Sequence, residues 1–306
     1  MASPHTNLAV ADLTRAIARF ADGFSIEAIR PSAQEIAALG EIIPQGTQVY
    51  VGAVSGRPMA EQVDAAIGLQ AAGFAPIPHL AAREFATVAE VDDFLARLTG
   101  EAGVERLLVI AGDRDRPAGE LVAAIDVIDG ALLRRHRIVE IGLAGYPDGH
   151  PRISADELDR ALVEKIDAAG SIGVMIHLVT QFCFDPQVLL AWLGRLRDYG
   201  LEHRVRIGLA GPTSLATLTR YARRCGVRLS LQNFARHAGL AHGLFRMWAP
   251  DEFVRSVTEH DGHVGVIKPH FFSFGGLLQT ARWARAVAQG WITLEPGQGF
   301  EVRSSG

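Results

Sequence analysis

The sequence predicts a (β/α)8 TIM barrel in one catalytic domain spanning residues 1–306. Three observations carry the prediction. Eight short apolar runs alternate with helical patterns at near-even spacing, no linker or low-complexity break interrupts them, and several runs stop at glycine or proline followed by polar residues. The pattern is plainest between Ile138 and Asp185. Ile138–Ala144 is an apolar run halted by Gly145-Tyr146-Pro147-Asp148-Gly149-His150-Pro151, a turn cluster that no central strand or helix passes through. Ala155–Ala169 then places Leu158, Ala161, Leu162 and Ile166 on one helix face. Asp156 and Glu157 lie in its first turn, where the helix dipole favours anions. Val174–Thr180 is nearly continuous in apolar residues, as expected of a parallel strand covered on both faces.

The other elements follow in order. A helix is expected over Leu8–Phe20, then a first strand, Gly23–Ile29, that halts at Arg30-Pro31, then a short helix, Ala33–Leu39. Thr47–Val54 is the second strand and Met59–Ala72 its helix. Phe74–Leu80 is the third strand, and Pro76 and Pro78 predict that it is irregular. Val88–Leu98 is helical, Arg106–Ala111 is the fourth strand ending in Gly112-Asp113, and a helix is expected over Gly119–Leu133. Beyond the sixth strand come helix Pro186–Tyr199, strand Arg204–Ala210 and helix Ser214–Cys225. Leu229–His260 reads as a longer helical region without a clear strand. Gly265–Phe272 is the eighth strand, and Leu277–Gln289 closes the chain. A doubly wound sheet is the rival fold. It ranks second because no Gly-x-Gly-x-x-Gly turn follows the first strand and nothing marks a reversal of winding.

Composition narrows the function classes. The net charge of −4 and the scattering of basic residues in pairs such as Arg134-Arg135 and Arg223-Arg224 argue against nucleic acid as a partner. Cys183 and Cys225 are too few for a disulfide framework and suit a reducing, cytoplasmic setting. Met1–Asn7 has no basic-then-apolar run, so no secretory leader is expected. No window approaches the roughly 20 apolar residues of a membrane span. A small-molecule partner is therefore expected. The apolar C-terminal helix, with Trp283 and Trp291 nearby, suits either a homo-oligomer interface or the core.

Side chains at the C-terminal ends of barrel strands converge on one mouth. Those positions hold Glu27, His79, Asp113, Tyr146 with His150 just beyond, and Gln181. Glu27 lies between Ile26 and Ala28-Ile29. An apolar setting there raises a carboxyl pKa and makes a proton donor, while pairing with Arg30 is the plainer alternative. Asp113 precedes Arg114, Asp115 and Arg116, which also reads as a salt-bridged surface turn. His79 either stacks on a ligand or sits capped in the core. Gln181, flanked by Phe182 and Phe184, is costly to bury unpaired and offers a donor and an acceptor together to a heteroaromatic edge. Metal-ligand types are present without a diagnostic spacing such as His-Glu-x-x-His, and no Gly-Lys-Ser/Thr phosphate loop occurs. Cys183, between two phenylalanines, is expected to be a buried inert thiol.

These strand ends resemble the methylenetetrahydrofolate reductases of the bacterial flavoprotein type. The resemblance is carried by Phe24-Ser25-Ile26-Glu27, Pro78-His79-Leu80, Gly112-Asp113, the Tyr146-to-Pro151 turn, Lys165-Ile166-Asp167-Ala168-Ala169-Gly170 and Thr180-Gln181-Phe182-Cys183-Phe184-Asp185. It implies a (β/α)8 barrel that reduces 5,10-methylenetetrahydrofolate to 5-methyltetrahydrofolate with NADH or NADPH through bound FAD. By the same resemblance, Glu27 is the acid that protonates N10, and Asp113 is the carboxylate beside the flavin and the pterin. Gln181 hydrogen-bonds the folate next to Phe184, and the aromatic residue that sandwiches the benzoyl ring is replaced by Leu215 or supplied from elsewhere. His79, Gly112, Tyr146 and His150 line the flavin, and Lys165 lies near its phosphates. Three departures fall on the cofactor side. Glu164 and Ala161 replace a basic residue and an amide beside Lys165, and Ala111 replaces an arginine. A carboxylate facing a diphosphate is repulsive, so the departures suit weakened FAD binding, phosphate contacts from other residues such as Arg160, or direct hydride transfer from the nicotinamide without flavin. A barrel that binds a reduced pterin without turnover is the non-catalytic alternative.

Overall fold

The computed structural model describes residues 10–227, 247–260, 264–296 and 299–303. The chain runs α1 (Val10–Ala21), β1 (Ser25–Ala28), α2 (Ala33–Gly40), β2 (Gln48–Val51), α3 (Met59–Ala71), β3 (Ala75–Ala81), α4 (Val88–Ala102) and β4 (Arg106–Ile110). It continues through α5 (Gly130–Arg135), β5 (Glu140–Gly145), α6 (Ala155–Ser171), β6 (Met175–Thr180), α7 (Pro186–Asp198), β7 (Arg204–Ala210), β8 (Thr213–Ser214) and α8 (Leu215–Cys225). The remainder is β9 (Met247–Trp248), α9 (Asp251–Thr258), β10 (Ile267–Phe272), α10 (Leu277–Ala288), β11 (Ile292–Leu294) and β12 (Phe300–Val302). Strands β1 to β7 and β10 form a closed, all-parallel barrel in which β10 pairs with both β7 and β1. The expected (β/α)8 barrel is the observed fold.

Period-two alternation divides the strand residues between two layers. Val49, Val51, Leu107 and Val109 point outward into the large core shared with the helices, while Tyr50, Ile77, Leu108 and Val179 form a smaller cluster inside the barrel. Burying each such side chain contributes roughly 1.5–3 kcal/mol. The barrel floor is polar instead. Glu140 receives Arg106 at 3.1 Å, Arg204 at 2.8 Å and His177 Nδ1 at 2.8 Å, and these partners hold its carboxyl down at about 2. His177 Nε2 lies 2.7 Å from the Tyr50 hydroxyl. Gly142 makes room for this column, since a Cβ there would come within 2.7 Å of His177 Nε2.

Four expectations are corrected. β3 is a regular seven-residue strand despite its two prolines. The Ala75 N–H donates to Thr47 on the β2 side, so alternation turns Pro76 and Pro78 toward β4, where pairing starts only at His79. Gly119–Leu133 is not one helix but a loop, a 3-10 turn (Ala124–Val127) and the short α5. Its break is built by Asp126, whose carboxylate accepts the Val122 and Ala123 N–H groups, and by Gly119, packed on the Ala86 backbone where no Cβ fits. Within Leu229–His260, β9 precedes α9, and residues 229–246 lie outside those described. Finally, α10 does not close the chain: β11 and β12 form an antiparallel hairpin, and Phe300 stacks on Trp283 at 5.9 Å. Trp283 is thus half-buried against the core, whereas Trp291 is exposed.

Beyond β7 the barrel departs from simple alternation. The outer-layer position is taken by α9, which packs on α7 and α1. α8 turns the other way, with its apolar face over the mouth.

Candidate active site

Glu27 projects from β1 toward the mouth and is 9% exposed. Its Oε2 lies 3.5 Å from His79 Nε2, which is equally buried at the end of β3. Burial, reinforced by the negative charge of Asp113, pushes the Glu27 carboxyl up to about 8. Burial likewise pushes His79 down to about 4. At neutral pH the pair is therefore a protonated acid beside a neutral imidazole. Gln62 fixes this geometry from α3, donating through Nε2 to the carbonyls of Val51 (2.8 Å) and His79 (2.9 Å). The alternative partner of Glu27 is engaged elsewhere, since Arg30 reaches Glu61 at 3.8 Å.

Gly112 ends the extension of β4 with φ +94°, and a Cβ there would press on Ala81 Cβ at 3.2 Å. The next residue, Asp113, is exposed at the mouth. The expected salt-bridged turn does not include it: Arg114 pairs with Glu84 and Asp115 with Arg152, while Asp113 forms no ion pair among the described residues. Its charge instead raises Glu27, Tyr146 and Cys225 and works against the lowering of His150. Tyr146 and His150 meet edge to face at 5.6 Å, and burial is the main cause of the Tyr146 rise and the His150 fall. Glu27, His79, Asp113, Tyr146 and His150 are thus brought to one mouth, as expected.

Gln181 is also at the mouth, but half of its carboxamide is committed. Its Oε1 accepts the Phe182 N–H at 3.0 Å, which leaves the NH2 without a partner among the described residues. Cys183 is the inert thiol expected: it donates to the Asp185 carbonyl at 3.3 Å, and burial pushes its pKa up. Two expected site residues are not drawn in. Lys165 sits in the third turn of α6, half-buried and lowered by desolvation alone, with no hydrogen bond or ion pair among the described residues. Leu215 is buried under the first turn of α8, whose cap is Ser214, and stands outside the aromatic cluster.

That cluster was largely missed. Phe182 meets Phe184 (5.6 Å), Phe272 (5.6 Å) and Phe274 (5.1 Å). Tyr221 of α8 stacks on Phe274 at 4.4 Å, and the β8–β9 pair brings Trp248 to 5.6 Å from Phe184. Its signal was the Phe272-Ser273-Phe274 alternation just where β10 ends, matching Phe182-Cys183-Phe184 after β6. Among the described residues, no group of three or more His, Cys, Asp or Glu side chains is arranged to hold a metal ion.

The family model for methylenetetrahydrofolate reductase matches residues 27–238. The chain belongs to the methylenetetrahydrofolate reductase family. Methylenetetrahydrofolate reductase 2 of Saccharomyces cerevisiae is 26% identical over 145 residues, 44% of this chain but only 23% of that relative. The chain thus matches less than a quarter of the relative's length. Among solved structures, an uncharacterized Clostridium thermocellum protein that binds two copies of 5-methyl-5,6,7,8-tetrahydrofolic acid superposes with a TM-score of 0.57. It is 13% identical, with 90% of this chain and 97% of that one covered, a likeness of fold.

A flavin dinucleotide, the cofactor implied by the resemblance, can be tested against these residues. His79, Tyr146 and Asp113 could flank a heteroaromatic ring. The phosphate end does not fit: beside Lys165, α6 exposes the Ala161 methyl and the Glu164 carboxylate. Arg83 is held by the carbonyls of Val122 and Arg114, and Arg114 by Glu84, while Arg160, exposed on α6 itself, stands between Glu157 and Glu164 at i−3 and i+4.

Proposed function

We propose that this protein is an oxidoreductase that reduces 5,10-methylenetetrahydrofolate to 5-methyltetrahydrofolate, with Glu27 as proton donor and hydride taken directly from NADH or NADPH. One observation carries the reading: a buried carboxyl with its pKa near 8, held 3.5 Å from a neutral imidazole at the mouth of the barrel. An amine leaves readily only when protonated, and a general acid works best with a pKa near the operating pH. Glu27 gives its proton to N10 of the folate. The bond between N10 and the methylene carbon then breaks, leaving a cationic iminium at N5. Hydride adds to that carbon, the nicotinamide is oxidised, and Glu27 is reprotonated from solvent. Asp113 supplies negative charge at the mouth, where the cation develops. In this reading the Gln181 NH2 donates to the pterin edge, and the aromatic cluster forms an apolar wall for the rest of the substrate.

The misfit on α6 favours direct transfer over a flavin route. The two separate cleanly by experiment. Purified protein should lack a flavin absorbance spectrum and should oxidise NADH or NADPH only when methylenetetrahydrofolate is present. A yellow protein whose flavin turns over would sink direct transfer but keep the folate reading. Folate binding without nicotinamide oxidation would leave a pterin-binding barrel and end the reductase reading.

A further inference from the structure

Barrels of this kind are ordinarily filled by branched apolar side chains, yet a braced polar column climbs this one toward the acid. At the floor Arg106 and Arg204 clasp Glu140, which holds His177 Nδ1 at 2.8 Å, and His177 Nε2 fixes the Tyr50 hydroxyl at 2.7 Å. The Tyr50 ring meets the His79 ring edge on at 6.4 Å, and Gln62 holds the His79 carbonyl from α3. The imidazole is thus aimed by its surroundings, although its Nε2 has no hydrogen-bond partner among the described residues. That atom is buried and stands 3.5 Å from Glu27 Oε2, near enough to face the carboxyl and too far for a normal hydrogen bond. A buried polar atom left unpaired is costly, and it calls for a partner that appears only at another stage of the reaction. Tyr50 and His270, which share this part of the barrel, are kept uncharged by burial, which raises the phenol and lowers the imidazole. From the mouth, Asp113 acts on Glu27 with negative charge.

We propose that His79 is a further catalytic residue, whose neutral Nε2–H is the donor that takes up the carboxylate formed when Glu27 gives its proton to the substrate. The inference rests on the reductase reading above, which leaves His79 without a step. As the O–H bond of Glu27 breaks and the N10–H bond forms, negative charge is left on a buried carboxyl. The unpaired N–H then closes to a charge-assisted hydrogen bond of about 2.7–2.9 Å. No proton leaves His79. The ring stays neutral throughout, and Glu27 is later reprotonated from solvent. Neutrality matters here, because an imidazolium at this distance would pull Glu27 down toward the ordinary carboxylate range and strip its proton before the substrate arrives. A neutral donor leaves the resting acid protonated and still meets the charge when it develops. Being fixed in advance by Tyr50 and Gln62, it needs no rearrangement at that moment.

The test compares two full-length variants, with thermal unfolding confirming that each folds. His79→Gln keeps an N–H donor near that place, whereas His79→Phe keeps a flat ring and loses the donor. Nicotinamide oxidation with methylenetetrahydrofolate is followed across neutral and alkaline pH. His79→Gln should stay within about tenfold of wild type. His79→Phe should lose about 10²- to 10³-fold in kcat, the usual worth of one preorganised donor. Its alkaline limb should also move above that of wild type, because the Glu27 carboxylate has lost its partner. An active Phe variant beside an inactive Gln variant assigns His79 to ring stacking and overturns the inference, as does an unmoved limb. A second measurement needs no substitution of His79 and no folate. In wild type the Nε2 proton of His79, followed by NMR, should move downfield as pH rises through about 8, and it should not do so in Glu27→Gln. A proton found on Nδ1 instead, or a resonance indifferent to Glu27, overturns the inference even where the variants unfold. Failure of wild type to oxidise nicotinamide with the folate overturns the reductase reading, while the resonance still decides the pairing of Glu27 with His79.

Discussion

Replacing Glu27 by glutamine keeps the shape of the side chain and removes its proton, and two consequences can be worked out from its surroundings. With a carboxyl pKa near 8, about nine in ten molecules hold the acid protonated at pH 7, so wild-type kcat/KM should fall about tenfold per pH unit above 8. Glu27→Gln should lose roughly 10²- to 10⁴-fold in folate reduction, the usual worth of a positioned general acid. Stability should respond in the opposite sense. A folded-state pKa of about 8 against an ordinary 4.5 means that the unfolded chain releases its proton first as pH rises. The folded state then loses about 1.4 kcal/mol per pH unit between those values, up to about 5 kcal/mol, with nothing lost below 4.5 and no further loss above 8. Urea unfolding at pH 5 and pH 9 measures this: wild type should weaken at pH 9 by several kcal/mol more than Glu27→Gln does. Matching pH dependence in the two proteins would refute the buried-acid geometry, and an active variant would refute the proton-donor role.

Asp113→Asn removes a charge that raises Glu27, so the alkaline limb of the kcat/KM profile should move to lower pH while kcat falls; an unmoved limb would separate the two carboxylates. Glu140→Ala strands Arg106, Arg204 and His177 around a buried gap and should cost about 3–5 kcal/mol in urea unfolding, whereas a loss under 1 kcal/mol would mean that the column is not structural. Gln181→Ala should weaken folate binding by about 1–3 kcal/mol, read by calorimetry, and an unchanged dissociation constant would remove the amide from the site.

The barrel strands were legible because each is an apolar run halted by residues that cannot continue it, as at Gly112-Asp113 and Gly145-Tyr146-Pro147. The mouth was legible for the same reason, since strand ends name the side chains that converge. Loop chemistry was not. Asp126 takes backbone N–H groups that a helix over Gly119–Leu133 would have used, and such local competition is invisible to periodicity. Prolines 76 and 78 misled because their effect depends on which neighbour their nitrogens face. The amphipathic pattern of Leu215, Leu218 and Ala222 fits an outer helix as well as one laid over the mouth, so only the structure reveals that α9 has taken the outer place. The resemblance offers Leu215, or a ring supplied from elsewhere, for the benzoyl contact. The rings that occupy that region come from α8, β9 and the end of β10.

An outer wall already sealed by α9 frees α8 from covering the barrel strands from outside. Evolution is then free to redraw it, lengthening it, recharging it or swapping its aromatics, while the acid-bearing strands and the arginine-anchored floor stay as they are. In relatives that share this layout, differences in substrate preference should gather on α8 rather than around the proton donor.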